Sequence, residues 1–260
     1  MGQHSVDLAA APPVVLLHGQ PGSAAVWAPL RPLLAPRRVL AVDRPGYGLN
    51  PAGAMGFAGN VAALVARLDA AGVDRAVLVG HSWGGGVAAL AAARHPDRVA
   101  GLVLAASVGP GALTATDRVL ARELLGELTH YLGYLLAGPW VRRGLRRRAR
   151  RTLGPGERAD VERRLAANRA RPLWRSALVE QRALVAEHGT LDAALPRIQA
   201  PTVVLAGTAD RVVPPRVAVR LARQVPGARL VLLPGAGHAL PQTHPGPLAA
   251  AVRSLPWPTR

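Results

Sequence analysis

The chain contains no cysteine, so neither a disulfide framework nor a thiolate metal site can form, and any nucleophile must be an oxygen or a nitrogen. Lysine is absent as well; all 32 basic residues are arginine. Long apolar runs are missing: stretches such as Ala100 to Ala106 and Val203 to Ala206 fall far short of the ~20 residues that span a bilayer as a helix, so no membrane span is expected. Met1 to Pro13 has no cationic segment followed by an apolar one, which leads to the expectation of a mature, cytoplasmic protein. Gly2 follows the initiator, yet Val6 stands where N-myristoylation wants Ser or Thr, so lipid anchoring has no support. There is no H-E-x-x-H, no P-loop and no G-x-G-x-x-G after a strand, so no metal and no cofactor are expected.

What the sequence does have is apolar bulk. Half of the 260 residues are hydrophobic, with 28 Gly and 24 Pro and no long polar or repetitive stretch, as expected of one large globular domain or a core domain carrying an insertion. The net charge of +17 raises nucleic acid or an anionic membrane as a partner, because clustered arginines neutralise phosphates and release counterions. The excess is spread, however, with 17 Arg against 9 Asp and Glu between residues 108 and 199, and 15 against 6 elsewhere. Arginine without lysine points to coding bias rather than a binding face. One run stands out, from Arg142-Arg143 through Arg146-Arg147-Arg148 to Arg150-Arg151; it reads as a solvated helix face, with a phosphate or carboxylate site as the alternative, and no nucleic-acid partner is expected.

Short β-branched and Leu-rich runs alternate with helical stretches, the pattern of buried parallel strands joined by crossover helices. Strands are predicted at Val14 to Leu17, Val39 to Val42, Ala76 to Val79, Gly101 to Ala105, Thr202 to Ala206 and Arg229 to Leu233. Helices are predicted over Ala24 to Leu34, Phe57 to Ala71, Trp83 to Ala93, Arg216 to Gln224 and Pro247 to Ser254, where apolar spacing is near 3.6. The fold class is therefore α/β, a doubly wound and mostly parallel sheet of about six strands. More than ninety residues separate the fourth and fifth strands, too many for one crossover helix. The expected organisation is a core of residues 1–107 and 200–260 with a helical lid, or cap, inserted at 108–199. Within the insert, Leu113 to Leu136 and Arg158 to Ala170 read as amphipathic helices, with breaks at Gly138-Pro139, Gly154-Pro155-Gly156 and Pro172.

Gly80-His81-Ser82-Trp83-Gly84 follows the third strand and precedes an Ala-rich helical run. Strand, G-x-S-x-G, helix is the context of a nucleophile elbow, in which a tight turn projects the serine from the carboxyl edge of the sheet. A glycine-rich turn with an incidental serine is the plain alternative. A serine hydroxyl needs a base to take its proton. His238 lies in Pro234-Gly235-Ala236-Gly237-His238, just past the last strand and at the edge of the elbow. His81 would point away at the turn, His95, His130 and His188 fall on helical stretches, and His4 precedes the first strand. His244 is followed by Pro245 and reads as the lead-in to the terminal helix. The carboxylate that orients the base is expected at Asp210, immediately beyond the fifth strand, because the fourth ends in Ala105-Ala106-Ser107-Val108 without one. The order Ser82, Asp210, His238 fits this fold. An oxyanion hole is expected from the backbone N–H groups of Gln20 and Trp83, since Pro21 cannot donate; His18 reads as a brace for that loop.

The Gln20 loop, Asp43-Arg44-Pro45-Gly46-Tyr47-Gly48, the Ser82 elbow, Asp210 and His238 together resemble the α/β-hydrolase superfamily, in particular its lidded bacterial serine hydrolases and esterases, from Val14 to the C-terminus. The resemblance implies a structural turn at Asp43 to Gly48. It also implies a leading strand pair that thirteen residues before Val14 leave shortened or absent. Epoxide hydrolases and haloalkane dehalogenases are similar around Gln20 but use Asp where Ser82 stands. Proline iminopeptidases share a Trp after the nucleophile but usually have Gly at the place of Gln20.

The expected activity is cleavage of a carboxylic ester or lactone in a small-molecule substrate through an acyl-enzyme on Ser82. The same residues serve C–C bond, amide and peracid chemistry, and a ligand receptor on this fold is a second class of reading. Tyr131, Tyr134, Trp140 and Trp174 are the candidates for an apolar pocket wall in the lid, or else ordinary lid packing.

Overall fold

A computed structural model of the chain describes residues 11–170 and 172–256. The expectations for the leader, for Gly2, Val6 and His4 and for most of the leading hairpin fall on residues 1–10 and so lie outside the described residues.

Six parallel strands form one sheet: β1 (Val14–Leu17), β2 (Val39–Val42), β3 (Ala76–His81), β4 (Val99–Ala105), β5 (Thr202–Gly207) and β6 (Arg229–Leu233), in the order β2-β1-β3-β4-β5-β6. The four inner strands are buried along their whole length, which is why they read as largely apolar runs, whereas the edge strand β6 is a mix of partly buried and exposed residues. The chain moves outward from β1 to β2, then returns to the other side of β1 as β3. That reversal opens a crevice at the carboxyl ends of β1 and β3, the place where ligands bind in open α/β sheets.

The first interstrand connection differs from the sequence expectation. Ala24–Trp27 and Arg31–Leu34 are two separate 3-10 turns rather than one helix, because Pro29 and Pro32 lack the N–H donors that a continuous helix needs. Helix α1 (Phe57–Ala70) precedes β3, and α2 (Trp83–Arg94) leaves the elbow and packs on β3 and β4. Four helices then stand between β4 and β5: α3 (Ala115–Leu120), α4 (Leu125–Thr152), α5 (Pro155–Arg169) and α6 (Leu173–Ala194). Gly154-Pro155 and Pro172 do mark helix boundaries, but Gly138-Pro139 does not. The helix α4 continues through Pro139 for 28 residues, at the cost of one backbone hydrogen bond. Helix α6 packs against α1, α2 and α4 and so ties the insert to the sheet. After β5 come α7 (Pro215–Gln224), then β6, α8 (Leu240–Thr243) and α9 (Pro245–Arg253).

The sheet divides the core in two. Val15, Leu17, Leu78, Leu102 and Leu104 pack with α1 and α2 on one face, whereas Leu16, Val77, Val79 and Val103 pack with Trp27, Leu248 and Val252 on the other. Among the described residues no helix is long and apolar enough to cross a membrane.

Candidate active site

Ser82 sits between β3 and α2 with φ 53° and ψ −122°, a conformation that non-glycine residues rarely adopt and that costs of order 1–3 kcal/mol. Its surroundings hold it there. Ser82 N–H donates to Ala105 O at 3.0 Å, and Ser82 O accepts from Val108 N–H at 3.2 Å and from Gly85 N–H at 2.9 Å. The flanking glycines have a steric reason: a Cβ on Gly80 would lie 2.5 Å from Gly84 O and Gly85 Cα, and one on Gly84 would collide with the carbonyl oxygens of Leu17 and His18. The elbow thus presses α2 directly against β3 and the end of β1.

Past β5, the Asp210 carboxylate is buried and accepts from three donors. Oδ2 lies 2.8 Å from His238 Nδ1, and Oδ1 accepts from the N–H groups of Val212 at 2.8 Å and Val213 at 2.9 Å. Burial pushes the Asp210 carboxyl up, but the His238 bond and charge and the two backbone donors outweigh it and leave the group below its ordinary range. With Nδ1–H pledged to Asp210, His238 has Nε2 available as acceptor. Among the described residues no hydrogen bond joins Ser82 Oγ to the His238 ring.

His81 turns away from the cavity side of the elbow, yet it has a definite partner. Its Nε2–H donates to His238 O at 2.9 Å, its ring centroid is 4.9 Å from that of His238, and Trp27 packs edge-on against it. Burial, then the nearby charge of His238, lowers the His81 imidazole to about 4, so it stays neutral at ordinary pH. Three other histidines are engaged elsewhere: His244 is half-buried at the start of α9 and bonds Thr243 Oγ1 at 2.8 Å, His130 bonds Gly126 O at 2.8 Å, and His188 lies 3.4 Å from Asp192.

Opposite the elbow, His18 is fully buried and fixed in one tautomer. Nδ1–H donates to Gly19 O at 2.8 Å, and Nε2 accepts from Arg44 N–H at 3.1 Å; burial and then the Arg44 charge hold its imidazole well below the usual range. Arg44 also donates from Nε to His18 O at 2.8 Å and from Nη2 to Gly19 O at 3.1 Å. Gly19 O belongs to the peptide whose N–H is that of Gln20, so its two donors, His18 Nδ1–H and Arg44 Nη2, fix the plane in which that N–H points. The Gln20 side chain reaches α6 through a bond from Nε2 to Ala177 O at 2.5 Å.

Arg44 pairs with Glu180 of α6, both fully buried, and Glu180 Oε2 also accepts from Tyr47 O–H at 2.8 Å. The Arg44 guanidinium lies 4.6 Å from the centre of the Trp83 ring, which stacks on Phe57 at 4.1 Å and donates from Nε1 to Glu180 O at 3.3 Å. The Asp43-Arg44 turn is therefore more than a turn. It carries the clamp between the Gln20 loop, Trp83 and the insert, and Asp43 adds an ion pair to Arg164 of α5. Glu180 escaped sequence reasoning, although its place on the buried face of α6 beside Ala177 and Leu184 was a usable signal, because a carboxylate there demands a partner.

A cavity of about 630 Å³ opens between elbow and insert. Gln20, Ser82 and Trp83 line its floor, Tyr134 and Trp174 its wall, and most of its surface is apolar. Tyr131 and Trp140 are corrections to the expected pocket. Tyr131 packs edge-on against Trp174 at 5.8 Å without lining the cavity, and Trp140 is 75% exposed. Because α4 does not break at Pro139, Trp140 keeps the phase of the outer face, whereas Tyr134, Val141 and Leu145 keep that of the inner one. Among the described residues no cluster of His, Asp and Glu is placed to hold a metal ion.

Against known proteins, the family model described as the alpha/beta hydrolase fold matches residues 12–245. A pimeloyl-[acyl-carrier protein] methyl ester esterase of Edwardsiella ictaluri is 31% identical, with 92% of this chain and 91% of that protein covered. Epoxide hydrolase A of Mycobacterium tuberculosis is 32% identical over 93% of this chain and 89% of its own. Among solved structures, a thermophilic esterase from Thermogutta terrifontis superposes with a TM-score of 0.69 at 25% identity, covering 94% of this chain and 88% of that one.

Proposed function

The chain belongs to the α/β-hydrolase fold family, a family of hydrolases in the relatives it matches, and from that premise we propose that it is a serine hydrolase cleaving a carboxylic ester or lactone. The observation that carries this reading is the 2.8 Å pairing of His238 with the buried Asp210 carboxylate, in the loops after β6 and β5, at the same carboxyl edge of the sheet from which the strained Ser82 turn leaves β3. Ser82 Oγ attacks the ester carbonyl carbon as His238 Nε2 takes its proton; the proton passes to the leaving alkoxide, and the acyl group remains on Ser82. Water then attacks the acyl carbon, His238 takes a proton from it, and return of that proton to Ser82 releases the acid. Asp210 holds the imidazole in the tautomer with Nε2 free and stabilises the imidazolium. The N–H groups of Gln20 and Trp83 receive the developing oxyanion, and the Arg44 clamp behind Gly19 O keeps the first of them aimed.

Residues 108–199 serve in this reading as a lid over a core made of 1–107 and 200–260, with Tyr134 and Trp174 as its apolar walls. Serine at position 82 favours the esterase relative over the epoxide hydrolase, since the resemblance to epoxide hydrolases implies an aspartate there. The mostly apolar cavity favours an acyl chain over a charged amine substrate.

Turnover of acyl esters of graded chain length, with and without a serine-directed organophosphonate, tests the proposal. Ser82→Ala is expected to lower kcat by ~10³-fold or more, and Asp210→Asn by ~10³ to 10⁴-fold, both with unchanged circular dichroism. Labelling of Ser82 with no turnover of any ester would replace the enzyme by a ligand receptor on the same fold.

A further inference from the structure

The outward face of α4 is the largest feature that the hydrolase reading leaves unused. Leu125, Leu128, Leu132, Leu136 and Trp140 follow one another at intervals of three or four residues and are 44%, 54%, 42%, 71% and 75% exposed. At 1.5 Å per residue this stripe runs for about 22 Å. On the same face and in the same phase the helix then turns cationic, with Arg143, Arg147, Arg150 and Arg151 exposed. These four make no ion pair with other described residues, whereas Arg146 within the run is paired to the carboxylate of Glu162 at 2.9 Å. Exposed apolar surface of this extent on a soluble face marks a contact site.

Charge and shape select the occupant. A second copy of a chain with net charge +17 would bring more cations to an already basic face. An anionic lipid surface meets both halves of the stripe: aliphatic side chains and an indole enter the interfacial region, while guanidinium groups reach phosphates. Trp140 stands where the apolar half gives way to the cationic one, the position an interfacial indole prefers. Beyond it lies a second, open pocket lined by Arg147, Arg148 and Arg151. It shares Val141, Leu145, Arg148 and Gln242 with the cavity above Ser82, so the two spaces adjoin.

We propose that the outer face of α4 docks the protein on anionic lipid bilayers, with the Arg147–Arg151 pocket receiving a lipid phosphate beside the entrance to the Ser82 cavity. The docking goes beyond the hydrolase reading and does not depend on it, because adsorption needs no acyl transfer. The inner face of α4 would then receive acyl chains drawn from the surface on which its outer face rests.

Cosedimentation of the full chain with vesicles tests this directly. Wild type and the Ser82→Ala variant should both bind phosphatidylcholine vesicles containing phosphatidylglycerol at least ten-fold more tightly than phosphatidylcholine alone, and salt should weaken that binding. Leu132→Asp with Leu136→Asp, and separately Arg147→Glu with Arg151→Glu, should each lower binding to the mixed vesicles at least ten-fold. The leucine pair should leave hydrolysis of a short, water-soluble ester unchanged, which also reports that the variant is folded. Failure of the wild type to bind mixed vesicles would overturn the proposal, as would binding indifferent to all four substitutions. A wild-type dimer that light scattering shows to dissociate in the leucine variant would assign the stripe to a second copy and overturn it as well. Loss of ester hydrolysis in Ser82→Ala bears on the hydrolase reading alone.

Discussion

Acidification below the ordinary histidine value of 6.5 should destabilise this protein, and His81 supplies one defined part of the effect. In the unfolded chain its imidazole titrates near its ordinary value of 6.5, whereas burial and the charge of His238 bring it to about 4 in the fold. Between these two values the unfolded state carries a proton that the folded state refuses, so folding stability rises with pH across the window and falls as pH drops through it. Full passage from about pH 7 to about pH 4.5 amounts to about 2 kcal/mol for this one group, a sizeable share of a typical total of 5–15 kcal/mol. His18, also buried and held well below its ordinary range, adds a loss of the same sign. Asp210 acts in the other window: its folded carboxyl lies below the ordinary value of 3.8, so its contribution is kept above that value and lost only at lower pH. Urea unfolding followed by circular dichroism at pH values from about 4.5 to 7 measures the slope. His81→Gln keeps an N–H donor for His238 O but cannot titrate, and its stability should fall by about 2 kcal/mol less than that of wild type over the same range. Parallel curves for the two proteins would refute the argument that burial of His81 contributes to the acid limb.

Ser82→Gly should raise the free energy of unfolding by about 1 kcal/mol while abolishing turnover, because glycine adopts φ 53° without the strain that a Cβ imposes; calorimetry that finds the variant less stable than wild type would contradict it. Glu180→Gln removes the charge from a fully buried ion pair and leaves Arg44 uncompensated, a loss of about 3–5 kcal/mol and a fall in Tm of roughly 6–20 °C. A change of less than about 2 °C would mean that the clamp is not needed for stability.

The sequence by itself determined most of the core and the arrangement of candidate groups. The four inner strands left near-continuous apolar runs because parallel strands covered on both faces have no solvent side to mark with polar residues. The elbow was legible because its glycines answer a contact between adjacent segments of chain, where Gly80 meets Gly84 and Gly85. Asp210 and His238 were legible because the fold's connectivity delivers the loops after β5 and β6 to one edge, where the two side chains now lie 2.8 Å apart.

What only the tertiary structure decided involves partners distant in sequence. Nothing near Arg44 announces that Glu180, on a helix of the insert, will neutralise it, or that its guanidinium will hold Gly19 O; a buried charge is tolerable only once its partner is in place, and sequence spacing does not encode that meeting. His81 likewise reads as a bystander until the loop after β6 brings His238 O within 2.9 Å. The insert was least legible of all. Proline is a strong local signal for a break, but at Pro139 helical packing on both sides carried α4 onward, and that single continuation set which aromatic residues face the cavity and which face outward. Tyr134 and Trp140 are six residues apart, and a helix of 3.6 residues per turn sets them about 120° apart around its axis, one lining the cavity above Ser82 and the other in the exposed stripe.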